Sequence, residues 1–188
     1  MVFNQGLIMN DTLSHEQLAA EARAAYKRGD YLAAANAFKA ASESYRLSGD
    51  ELNAAEMANN YSVALLQGGE AQQSLEVVLG TDEIFAEAGD LRRQAMALGN
   101  QAAALEALNR PDEAIDAYER SAELLTQVGD TETRVSVMQS LSALQLRHGR
   151  QLEALATMQA GLNGVRHPTP KQRMLRKLLQ IPFKFMNR

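Results

Sequence analysis

Asn60 and Asn100 stand forty residues apart, each inside a stretch rich in alanine and free of proline. A primary amide offers both donors and an acceptor. A column of asparagines on one face can therefore pair with the main chain of an extended peptide without reading its side chains. Asn59, Glu56 and Val63 surround the first asparagine, and Met96 and Glu106 accompany the second. Glu16, Arg23, Tyr26 and Lys27 occur about one period earlier, and Gln139 and Arg147 about one period later. The competing reading is a solvated helix face on which asparagine is simply tolerated.

Catalytic chemistry has little to work with here. His15, His148 and His167 fall in separate segments at no metal-ligand spacing and without an evident carboxylate to orient them. The chain has no cysteine, which removes disulfides, thiolate nucleophiles and thiolate zinc sites. Its glycines occur mostly singly at turns, with no phosphate-binding pattern. The expectation is a protein that is not an enzyme and holds no cofactor and no metal.

Charge divides the chain in two. All 23 acidic residues lie at or before Glu153, leaving residues 1–153 at −11 and residues 154–188 at +7. An acidic body weighs against nucleic acid as a partner. In the basic segment, Arg173, Arg176 and Lys177 alternate with Met174, Leu175, Leu178 and Leu179, and Phe183 and Phe185 flank Lys184 after Pro182. The preferred reading is a cap on the preceding structure, with the basic residues meeting its acidic flank. The others are contact with an anionic membrane surface and a homodimer interface. No apolar run approaches the ~18 residues of a membrane span, and residues 1–10 lack the basic start of a signal peptide. A cytoplasmic protein is expected, peripheral at a membrane if the tail tethers it.

These residues are positioned by a repeat. Gly49-Asp50, Gly89-Asp90 and Gly129-Asp130 recur every forty positions, and Gly29, Gly69, Asn109 and Gly149 form a second column offset by twenty. Turn, helix, turn, helix on a fixed period predicts a helical solenoid. With Ser14 as position zero, small residues fall at position 8 (Ala22, Ser62, Ala102, Ser142), position 20 (Ala34, Ser74, Ala114, Ala154) and position 27 (Ala41, Thr81, Ser121, Gly161). Two helices that approach closely need small residues where their backbones meet. Helices are predicted near 15–28, 31–47, 51–67, 71–87, 91–108, 111–127, 131–147 and 151–163, with Gly80 kinking or ending the fourth. A further helix near 171–180 should cover the exposed end. The layout is a flexible start over 1–10, an array over 11–164 in units of about 15–50, 51–90, 91–130 and 131–164, a linker over 165–170, and the basic tail over 171–188.

Small residues at 8, 20 and 27, glycine near 15 and an aromatic near 24 resemble the tetratricopeptide repeat. Tyr26-Lys27-Arg28-Gly29-Asp30-Tyr31 and Asn109-Arg110-Pro111-Asp112-Glu113-Ala114-Ile115 are similar to that family's inter-helix turn. The resemblance covers residues 15–163. Two departures, a period of forty instead of thirty-four and Gly-Asp in place of the closing proline, make it similar to the long-helix arrays of kinesin light chains and Pins-type adaptors. It implies an all-α, right-handed superhelical solenoid of four antiparallel helix pairs with a capping helix, and a scaffold that binds a protein or peptide on its concave face. By the same resemblance, Arg23, Tyr26, Lys27, Asn59, Asn60, Met96, Asn100 and Gln139 point into that face. The family's carboxylate clamp is matched only at Asn60.

Overall fold

The computed structural model describes residues 13–163, 165 and 168–177. The expected flexible start at 1–10, together with Phe183 and Phe185, lies outside these residues. Among the described residues the chain is helical throughout, with α1 (His15–Lys27), α2 (Tyr31–Leu47), α3 (Glu51–Gln67), α4 (Ala71–Val78), α5 (Thr81–Glu87), α6 (Leu91–Ala107), α7 (Pro111–Gln127), α8 (Thr131–Arg147) and α9 (Gln151–Asn163). A short helical segment follows over 170–177. Each helix packs mainly on its sequence neighbours, and α6 also meets α3 and both α4 and α5. The result is a solenoid of antiparallel helix pairs.

One two-residue turn closes a helix and opens the next. At Gly49 the backbone takes φ +81°, a left-handed conformation that glycine adopts without strain. The Asp50 N–H then donates back to the Tyr45 carbonyl at 3.0 Å. The Asp50 carboxylate accepts from the Asn53 N–H at 3.1 Å, occupying an otherwise orphaned donor at the start of α3. Asp30, Asp90 and Asp130 cap α2, α6 and α8 in the same way. Ser14 opens α1 with a capping box through Gln17. Asn109 takes the glycine place with φ +55°, which asparagine tolerates better than most residues.

The small-residue columns meet where expected. Ala22, Ala34, Ala102 and Ala114 are fully buried. Serine is admitted because its hydroxyl finds an acceptor: Ser62 and Ser74 pair with each other at 2.9 Å, and Ser142 donates to the Ala154 carbonyl at 2.9 Å. Ser121 likewise donates to the Ala95 carbonyl at 2.7 Å.

The second unit has its second helix in two pieces. Leu79 is extended and Gly80 sits at φ +82°, and the Thr81 hydroxyl donates to the Val78 carbonyl at 2.7 Å across the break. The register survives, since Thr81 and Phe85 are both buried, and Phe85 packs with Ala55 and Ala97.

At the other end, among the described residues, the basic residues of the 170–177 segment form no ion pair with the acidic flank that the capping reading expected. Arg176 donates to the Leu162 carbonyl and lies 3.5 Å from that of Val165. Arg134 reaches the carbonyls of Ala160 at 3.4 Å and Gly161 at 3.3 Å. The free carbonyls and negative dipole end of α9 attract these guanidinium groups. Met174, expected to pack on the last unit, is 62 % exposed. No described helix is long and apolar enough to cross a membrane.

Candidate binding groove

The first helix of each pair, namely α1, α3, α6 and α8, supplies a row of three pockets. The first, of about 190 Å³, is lined by Arg23, Tyr26 and Lys27 of α1, Phe38 of α2, and Asn60 and Val63 of α3. A second of about 210 Å³ lies between α3 and α6, with Glu56, Asn59, Asn60, Met96 and Asn100 around buried Phe85. The third, about 640 Å³, runs from α6 to α8 and holds Glu106, Tyr118, Ser140, Arg147 and His148. Asn60 is shared by the first two.

Adjacent asparagines have opposite fates. Asn59 is buried, its NH₂ donating to the Ala55 carbonyl at 3.1 Å. Its side-chain oxygen accepts from the Asn100 amide at 3.3 Å. Asn100 thus bonds across units to Asn59 and not to Asn60, the residue in phase with it. Asn59, expected to face a ligand, instead has both ends of its amide engaged and fixes Asn100. Asn60 is half-buried and makes no side-chain hydrogen bond among the described residues. In the second unit, position 6 is therefore open to the groove, whereas the amide at position 5 is spent on α3 and α6.

Ion pairs tie the units together along the same face. Arg93 bridges Asp90 at 2.6 Å and Glu56 at 3.2 Å, and its guanidinium lies 5.2 Å from the centre of the Phe85 ring. The Arg93 backbone N–H, and then its guanidinium, hold the Asp90 carboxyl below its usual range. Arg92 meets Asp130 at 2.9 Å. Arg147 bonds Glu106 across units, and the Tyr118 hydroxyl donates to the same carboxylate at 3.2 Å. Burial pushes the Tyr118 phenol well above its ordinary range, and the Glu106 charge adds to that shift.

Of the residues expected at the site, Arg23, Tyr26, Lys27, Asn59, Asn60, Met96 and Asn100 line the first two pockets. Gln139 is exposed on α8 and lines none of the three. Arg173 and Lys177 are exposed on the 170–177 segment and line none of the three pockets. Arg92, Arg93, Phe85, Tyr118 and His148 were not anticipated. Arg93 could have been found as the residue three after the Asp90 cap, and Phe85 by its forty-residue spacing from Tyr45 and Leu125. Among the described residues, no group of three or more acidic or histidine side chains gathers as metal ligands would.

Residues 93–166 match the family model of the tetratricopeptide repeat. Over that span the chain is similar to tetratricopeptide repeats. Their helix-pair architecture continues back to α1, well before the matched segment. The fold is similar to the crystal structure of BtubC (BKLC) from P. vanneervenii, with a TM-score of 0.68 at 17 % identity over 87 % of this chain and 70 % of that one. No curated protein matches the sequence.

Proposed function

We propose that this tetratricopeptide array is a non-catalytic scaffold that binds an extended segment of a partner protein along its inner helices, centred on Asn60 and Asn100. The observation that carries this reading is the placement of Asn60. Its amide is unengaged, it borders two consecutive pockets, and it stands one helix away from an Asn100 already fixed by Asn59. One open amide beside a second that is already oriented suits main-chain recognition, because little side-chain freedom is lost on binding.

The test places a photocrosslinking residue at Val63 and identifies what it captures from the native source. Exchanging both Asn60 and Asn100 for alanine should weaken binding of the captured protein at least about tenfold, and Asn60→Ala alone should account for part of that loss while leaving thermal unfolding nearly unchanged. Equal affinity of the double variant would remove the site. A second reading, tethering to an anionic membrane, draws on exposed Met174 beside exposed Arg173 and Lys177. Cosedimentation with vesicles containing phosphatidylserine that survives replacement of all three residues would dismiss it.

A further inference from the structure

A fourth cavity lies on a different face of α8 from the inner pockets. It is a groove of about 400 Å³ between α7 and α9. Met138 and Leu141 of α8 form its floor, Ala122 of α7 one wall, and Ala156 and Ala160 of α9 the other. The α9 side chains facing it are small, and that leaves the space. Gly161, beside Ala160, lets the Met138 side chain come in close, since a Cβ there would stand 3.2 Å from Met138. The α7 rim carries Glu119 and Glu123, exposed carboxylates that form no ion pair among the described residues. The preceding junction differs: there Arg120 of α7 reaches Asp82 of α5 at 3.7 Å. Arg134 of α8 also lines the groove, with its guanidinium drawn to the Ala160 and Gly161 carbonyls at the α9 end. The groove is thus apolar at its base, acidic along its α7 edge and spanned by no α7–α9 ion pair among the described residues.

We propose that residues 183–186 of this chain occupy that groove, with Phe183 and Phe185 on its apolar floor and Lys184 toward the Glu119 and Glu123 rim. Arg176, bound to the Leu162 and Val165 carbonyls, holds the 170–177 segment within about one turn of Ala160, at the groove's end. Eleven residues follow Lys177, enough to span roughly 36 Å when extended. Ala156 to Ala160 is only about 6 Å along a helix, so reach is no obstacle. Pro182 biases Ile181 away from helical backbone, which favours an extended run after it. Alternation along such a run places Phe183 and Phe185 on one side. No acidic residue follows Glu153, so the segment is complementary in charge to the rim. This docking involves neither Asn60 nor Asn100 and stands apart from the reading of the inner face.

Methyl resonances of the methionines test it on the full chain. No aromatic side chain lines the groove, so an aromatic ring-current shift of the Met138 methyl would report the arriving phenylalanines. The full chain should show Met138 shifted upfield, independent of protein concentration. Phe183→Ala with Phe185→Ala should abolish that shift and leave the buried Met57 methyl in place. Glu119→Lys with Glu123→Lys, which leaves the groove floor intact, should move Met138 part of the way to the same position. A Met138 resonance identical in the full chain and the Phe variant overturns the proposal. So does a shift that appears only as concentration rises, which would assign the groove to a second copy. Phenylalanine-dependent binding to anionic vesicles with Met138 unmoved would give the tail to a membrane instead.

Discussion

The two halves of the inner face differ in how far their polar groups are already spent. Toward α1, Arg23 and Lys27 are exposed and make no ion pair among the described residues, and the Asn60 amide is unengaged. Toward α8, Glu106 is held by both Arg147 and Tyr118, and between the halves Arg93 is shared by Asp90 and Glu56. A group bonded within the fold must break that bond before it serves a ligand, whereas an open one exchanges only water. Cross-unit pairs therefore tie the units together, and the open groups upstream are the ones that the proposed function draws on. The larger third pocket is the less available one in this respect, because its charges answer each other.

The sharpest way to break this division is at its hinge. Phe85 is almost fully buried beneath the middle pocket and carries Arg93 over its ring. Phe85→Ala should cost about 3–5 kcal/mol in urea unfolding and loosen the middle pocket along with the fold. A loss below about 1 kcal/mol, the size expected at a surface position, would mean that the floor is not where the array draws its stability. A finer distinction lies between neighbours. Asn59→Ala removes a buried amide with both ends bonded and leaves Asn100 without its cross-unit partner, and should cost about 1–3 kcal/mol. Asn60→Ala should stay within about 0.5 kcal/mol. Equal costs, measured by thermal unfolding, would erase the contrast between structural and available amides.

The smallest effect concerns the turns that hold both halves in phase. Hydrogen bonds from Asn53 lower Asp50, those from Arg93 lower Asp90, and those from Arg92 and then Thr133 lower Asp130. A carboxyl depressed in the folded state stabilises the fold above its unfolded value of about 3.9, and that contribution drains away as pH falls through the folded value. Stability should thus be flat from neutral pH to about pH 5 and decline below about pH 4. Asp50→Asn with Asp130→Asn, which keeps a cap acceptor but removes the charge, should flatten the decline. An unchanged acid limb would assign it to other carboxylates.

Much of this was legible in the chain itself. The Gly-Asp column places the helix ends to within about a residue, since a left-handed closing residue and a capping acid are local requirements that few residue types meet. Gly80 marked the break in the second unit for the same reason. The small columns foretold the full burial of Ala22, Ala34, Ala102 and Ala114. The division of labour between Asn59 and Asn60 was not legible, because both are asparagine and only a rotation of about 100° along α3 separates them. Nor were the partners of Arg93 and Arg176 apparent: one lies 37 residues away at Glu56, the other is a main-chain carbonyl.

By itself, then, the sequence determined the period, the turns, the register and the family that the repeats resemble, because each rests on backbone conformation or side-chain size within a few residues. The tertiary structure alone decided which amides remain free, which charges are paired and where grooves are left open. Those depend on how neighbouring units are rotated against one another. A fraction of a helical turn there separates an engaged side chain from an exposed one.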